Sequence, residues 1–117
     1  MNPAATTNER LGHRERIRRI LNHETADRPA IDLGATRMTG TSAWSYRRLR
    51  RALGLSEKTP RVFDLYQMLT EPDEDLLDAF GCDFVMLPIE SLPLGLEYGG
   101  WKEYTFWDGQ TFMVPAG

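Results

Sequence analysis

Cysteine is nearly absent: Cys82 is the only one in 117 residues. An internal disulfide is therefore excluded, and a reducing cytoplasm is the default location. Histidine is almost as scarce, with His13 and His23 alone. Zinc sites need three or four converging ligands, and the spacing of these three residues matches no metal motif, so no catalytic metal is expected on this chain. No apolar run approaches the ~20 residues that cross a bilayer. The start, "MNPAATTNER", lacks the basic and apolar regions of a secretory signal. No internal repeat or low-complexity segment is visible.

What is present is an ordinary globular composition, 41% hydrophobic and 26% charged, with an uneven charge. Residues 1–51 carry eleven Arg against five acids, which is +6; residues 52–117 carry three basic residues against twelve acids, which is −9. Such asymmetry reads either as a nucleic-acid patch or as two complementary surfaces of one fold. The complementary surfaces are favoured, because the chain as a whole is acidic, with a pI near 5.4.

Residues 1–8 are small and polar and are expected to be disordered. A helix is expected from about Glu9 or His13 to Asn22, with Ile17, Ile20 and Leu21 on one face and arginines on the others. "PAIDLG" reads as a short strand between Pro29 and Gly34. "AWSYRRLRRALGL" reads as a helix capped by Thr41 or Ser42, with Tyr46, Leu49 and Leu53 on one face and Gly54 after its end. "VFDLYQML" is ambiguous between strand and helix. Asp64 followed by Gln67 resembles a capping box and favours a helix from Asp64. Asp73, Glu74 and Asp75 open a clearer helix that buries Leu76, Leu77 and Phe80 and ends at Gly81. "CDFVMLP" is the strongest strand signal, its continuous apolar run suiting a parallel strand covered on both faces. The tail, "WKEYTFWDGQTFMVP", reads as a hairpin turning at Asp108-Gly109. Two strands separated by helices predict a strand–helix–strand crossover and a parallel sheet.

In this order, "HRERIRRILNHETADRPAIDLG", "GTSAWSYRRLRRALGL", "RVFDLYQMLTEPDEDLLDAFGCDFVMLP" and "WKEYTFWDGQTFMVPAG" resemble the N-terminal portion of uroporphyrinogen-decarboxylase-like proteins over most of residues 9–117. The resemblance implies an α/β fold: part of a TIM barrel, with a C-terminal β-hairpin. A complete barrel typically needs about 250 residues, so a truncated barrel domain is expected over 9–117. The resemblance implies one of two chemistries. One is cofactor-free decarboxylation of tetrapyrrole acetate arms. The other is methyl transfer between a corrinoid protein and a thiol, with zinc held by a His-x-Cys pair and a further Cys that this sequence does not contain.

The decarboxylases carry an Arg-Gln-Ala-Gly-Arg loop after the first strand, where this chain reads "GATRMTG". They carry Phe-Ser-Asp after the second strand, where it reads "VMLPIES". With both hallmarks missing, the corrinoid-linked methyltransferase branch is the nearer one. Zinc and a corrinoid partner are then expected of a full-length relative, and this chain alone is expected to be inactive.

The candidate catalytic residues are Arg37, Glu90 and Asp32, and the candidate substrate-binding residues are Arg37, Thr41 and Ser42. Arg37, on a loop after a strand, is either an anion clamp for a carboxylate-bearing substrate or a solvated loop arginine. Asp32 is a site carboxylate or the partner of an arginine. Glu90 is a general acid or substrate contact if burial raises it, and an exposed loop glutamate otherwise. Thr39, Thr41 and Ser42 either bind an anion at a helix N-terminus or simply cap that helix. Trp44, Tyr98, Trp101, Tyr104 and Trp107 line a tetrapyrrole or corrinoid pocket or form core. Cys82 reads as a buried, inert thiol.

Two other classes compete. "RERIRR" and "YRRLRRALG" could face nucleic acid, although no helix-turn-helix, zinc-finger or RNA-recognition signature accompanies them. A non-catalytic subunit that associates with a partner chain, or with itself, through an apolar sheet edge beside "FVML" is the other.

Overall fold

Aromatic and β-branched residues flank Asp108-Gly109, and there the described residues form their longest strand pair. A computed structural model describes residues 9–87 and 99–116; the expected disorder of residues 1–8 falls outside them. In chain order the elements are α1 (His13–Leu21), a 3₁₀ turn (Arg37–Thr39), β1 (Thr41–Ser42), α2 (Ala43–Ala52), β2 (Arg61–Asp64), β3 (Leu69–Glu71), α3 (Glu74–Phe80), β4 (Trp101–Thr105) and β5 (Thr111–Pro115). The strands make one sheet in the order β1-β3-β2-β5-β4. Every neighbouring pair is antiparallel except β2 with β5.

This sheet overturns the expected partial barrel. The domain is a small mixed α/β unit with a five-stranded mixed sheet and three helices among the described residues, not the strand–helix–strand opening of a parallel barrel. Both segments read as barrel strands are irregular. In residues 29–34, Asp32 Oδ1 accepts the Ala35 N–H at 3.1 Å, a local turn that competes with ladder pairing. Gly34 then takes φ +85°, which bends the chain. The run 84–87 has apolar side chains but no ladder among the described residues. Val85 is 68% and Leu87 82% exposed, so the described residues do not cover this run as they would a continuous apolar strand.

The helix expected from Asp64 is a hairpin instead. The capping signal is real, because Asp64 Oδ1 accepts the N–H groups of Tyr66 and Gln67, both at 3.0 Å. Those bonds close a turn between β2 and β3 rather than opening a helix, since an Asx side chain serves either purpose. Met68 leaves that turn at φ +53°. The C-terminal hairpin is present with a longer turn than the two residues expected. Phe106 N–H donates to Gln110 O at 2.8 Å, and Gly109 at φ +83° donates back to Phe106 O. A loop of this kind uses the left-handed glycine to restore strand twist.

The apolar core lies between α2 and the sheet. Ala43, Val62 and Phe112 are fully buried, with Trp44, Met68 and Phe106 packed against them. Trp44 meets the Phe106 and Phe112 rings edge-on at 5.4 and 4.9 Å. The buried stripe of α2 runs through Ala43, Tyr46 and Arg50, whereas Leu53 is partly exposed. On α1 the buried residue is Arg16, and Leu21 is exposed. Gly54 at φ +71° and Gly81 at φ +64° end α2 and α3 in the left-handed conformation expected of them.

Candidate functional site

The loop between residues 31 and 42 is held by its own short bonds. Gly34 N–H donates to Thr39 O at 2.9 Å, and the Thr36 hydroxyl accepts the Met38 N–H at 3.2 Å. A side chain at Gly34 would collide with Pro72, and one at Gly40 with Leu69, so the loop lies directly on β3 and the entry to α3. It presents Arg37, whose side chain is 63% exposed, with Nε 3.2 Å from Asp64 Oδ2. The guanidinium keeps further donors for an anion from solvent. Met38 and Tyr66 stand exposed on the loop and on the β2–β3 turn that Asp64 shapes.

The other sequence-selected residues do not gather round Arg37. Asp32 is half-buried and caps its own turn, and no arginine bonds to it among the described residues. Thr41 and Ser42 form β1, opposite Thr70 and Leu69. Ser42 occupies the N-cap position of α2 but makes no side-chain cap bond there. Glu90 and Tyr98 lie outside the described residues. Trp44 belongs to the core, while Trp107 is exposed at the hairpin turn. His13 Nδ1 contacts Asp83 at 2.7 Å, and burial pushes the Cys82 thiol up. Among the described residues no three His, Cys, Asp or Glu side chains converge as a metal set, so zinc has no fitting cradle in them.

A different cluster is more fully built, and composition alone does not reveal it. Arg16, 2% exposed, donates to Asp27 Oδ1 and Oδ2 at 2.7 and 2.9 Å, to Asp83 Oδ1 at 2.6 Å and to Leu11 O at 2.6 Å. Arg28 donates to Asp83 Oδ2 at 2.8 Å and to Gly81 O at 2.7 Å. Ile31 N–H donates to Asp83 Oδ2, and Asp83 N–H donates to Ile31 O. Burial by itself would raise the Asp83 carboxyl, but Arg28, His13, the Ile31 amide and Arg16 together hold it well below the usual carboxylate range. The Arg16 guanidinium does the same for Asp27.

A second cluster joins α2 to α3. Arg50, 1% exposed, makes a two-pronged contact with Asp75 at 2.8 and 2.7 Å and donates to Ser56 O. That fork holds Asp75 down to about 2. The Tyr46 hydroxyl donates to Asp73 Oδ2 at 2.7 Å and accepts the Asp73 N–H at 2.8 Å. Burial chiefly pushes this phenol up to about 12. Asp73 thus starts α3 with its carboxylate turned towards α2 instead of its own helix.

These clusters join the basic and acidic halves through Arg16–Asp83, Arg28–Asp83 and Arg50–Asp75. The signal that marks them is charge complementarity between distant segments. They are acceptor-saturated and internally neutralised, which suits structure more than turnover. Comparison with protein-family models, curated proteins and solved structures finds no match. No helix among the described residues is long and apolar enough to cross a membrane.

Proposed function

We propose that this chain is the N-terminal portion of a uroporphyrinogen-decarboxylase-like protein, whose full-length relative carries out corrinoid-linked methyl transfer. In this reading the portion supplies framework and one anion contact, Arg37, but no complete catalytic set. The observation that carries the reading is the convergence of the motif residues behind the resemblance. Arg16 of the Arg-rich helix, Asp27 and Arg28 of "DRP", and Asp83 of "GCD" meet in one ion cluster, although 67 positions separate Arg16 from Asp83. Motif residues that lie far apart in the sequence therefore share one structural role, the joining of α1, the segment before Ile31 and the end of α3.

The test starts with the reading frame beyond codon 117. A continuing frame that encodes a His-x-Cys pair and a further Cys is expected. Its full product should move methyl groups from methylcobalamin to a thiol, and Arg37→Gln should raise KM for an anionic thiol. A stop codon directly after Gly117 would remove the enzyme reading.

A non-catalytic subunit that binds a partner chain is the second reading, favoured by the exposure of Val85 and Leu87 beside Asp83. Sedimentation would separate the two, since a concentration-dependent complex abolished by Val85→Lys belongs to the subunit alone. The nucleic-acid reading loses support, because Arg16 and Arg50 are buried and Arg18 and Arg19 are paired with Glu15.

A further inference from the structure

Beyond Arg37, one concave surface collects cations without using up their donors. Beside the C-terminal half of α2 and the segment leading to β2 lies an open depression of about 300 Å³, lined by Arg47, Arg51, Glu57, Lys58 and Thr59. Arg47 is fixed from behind, donating to Thr111 O and lying over the Phe112 ring at 5.4 Å. One of its donors is engaged there, and the rest of the fork remains available. Lys58 makes no hydrogen bond among the described residues; its ammonium stands 3.9 and 4.0 Å from the Asp73 and Asp75 carboxylates. Arg51 is met by Glu57 at 2.7 Å, with both side chains about two-thirds exposed.

We propose that this depression is a binding site for a small phosphomonoester, in which the phosphate displaces the Glu57 carboxylate from Arg51. Three cations against one carboxylate give the lining residues themselves a charge of +2, with the Asp73 and Asp75 carboxylates 3.9 and 4.0 Å from Lys58. The +2 of the lining matches a phosphate monoester, which carries about −1.5 to −2 at neutral pH. Two guanidinium forks from successive turns of α2 meet an ammonium and a hydroxyl from the segment leading to β2. Such a spread suits a tetrahedral oxyanion, whereas one fork already saturates a planar carboxylate. Glu57 acts as the internal counter-ion. The Arg51 guanidinium, helped by Arg47, holds its carboxyl below the ordinary range. An exposed pair of this kind is weak, so opening it costs little.

The experiment is an amide and arginine Nε NMR titration of the chain with inorganic phosphate and phenyl phosphate at low salt. Citrate and a short single-stranded RNA serve as comparison probes. Saturable shifts confined to Arg47, Arg51, Lys58 and Thr59 are expected with both phosphates. Lys58→Gln and Arg51→Gln should each weaken binding by about tenfold, on the scale of a lost charge-assisted contact. Glu57→Gln should tighten it several-fold, which a merely structural role for Glu57 would not do. Arg14→Gln, on α1, should change nothing. Absence of saturation in the millimolar range, equal loss with Arg14→Gln, tighter binding of citrate than of phosphate, or binding of the RNA alone would each overturn the proposal. All four variants change exposed residues, and unchanged thermal melts would separate lost binding from lost folding.

Discussion

The molecule is held together in two unlike ways. Between α2 and the hairpin it has an apolar core in which Ala43, Val62 and Phe112 are covered by Trp44, Met68 and Phe106. Around Asp83 and around Arg50 it has ionic junctions, where the buried side chains are Arg16 and Arg50 with their carboxylate partners. Among the described residues the apolar cluster draws on α2, β2 and β5 through Ala43, Val62 and Phe112. The remaining contacts between segments are made by arginine forks whose long stems pack while their heads are neutralised. The two kinds of junction fail differently. An apolar contact loses energy in proportion to the atoms removed. A buried ion cluster loses far more when one partner goes, because the others stay behind unpaired.

The sharpest way to break this comparison is Asp83→Ala, which takes a buried carboxylate from Arg16, Arg28 and the Ile31 amide at once and leaves two arginines with Asp27 alone to balance them. A loss of about 3–5 kcal/mol is expected, seen as a lower urea midpoint. A loss below that of a single core truncation would mean that the junction is ornamental. Val62→Ala, in the centre of the apolar core, should cost about 1.5–3 kcal/mol with an unchanged denaturant slope.

Acid separates the two regions without mutation. Asp83, Asp27 and Asp75 are all lowered, so the folded chain takes up protons less readily than the unfolded one. Their stabilisation is complete above the ordinary carboxylate range and fades as pH falls through the folded values. For Asp75 the window runs from 3.8 down to about 2. Unfolding midpoints measured across that window should fall, and Asp75→Asn should flatten part of the fall; an identical slope in the variant would count against the Arg50 fork. The smallest effect is expected at Thr105→Ala, which removes one exposed cross-strand hydroxyl pair with Thr111 at 2.9 Å. About 0.2–1 kcal/mol is the scale of such pairs, and thermal denaturation is sensitive enough to read the upper part of it.

How much of this was legible in the sequence depends on whether a segment's structure is decided locally. The hairpin at Asp108-Gly109, the glycine ends of α2 and α3, and the three helices follow from turn chemistry and spacing. Asp64 carried a true local signal with two structural meanings, and β3 pairing decided between them. The runs 29–34 and 84–87 misled because an apolar run shows what wants covering and says nothing of what covers it. The site candidates fared similarly. Arg37 is legible as a loop cation, but its Asp64 partner sits in a turn whose capping signal equally suits a helix start. The Asp83 junction was visible only as opposite charge in the two halves, because nothing in one segment names its partner in another.

The reach of the Asp83 junction also orders events in time. Its bonds to Arg28, Arg16 and His13 close loops of 55, 67 and 70 residues, whereas the Thr105–Thr111 pair closes six. Closing 67 residues rather than six costs about 2 kcal/mol more in chain entropy. On that entropy alone the hairpin is expected to form first and the junction to close on it as a late clasp, which φ-values at Asp83 and Thr105 would check. A late clasp leaves the folding rate alone and sets how soon the finished molecule springs open.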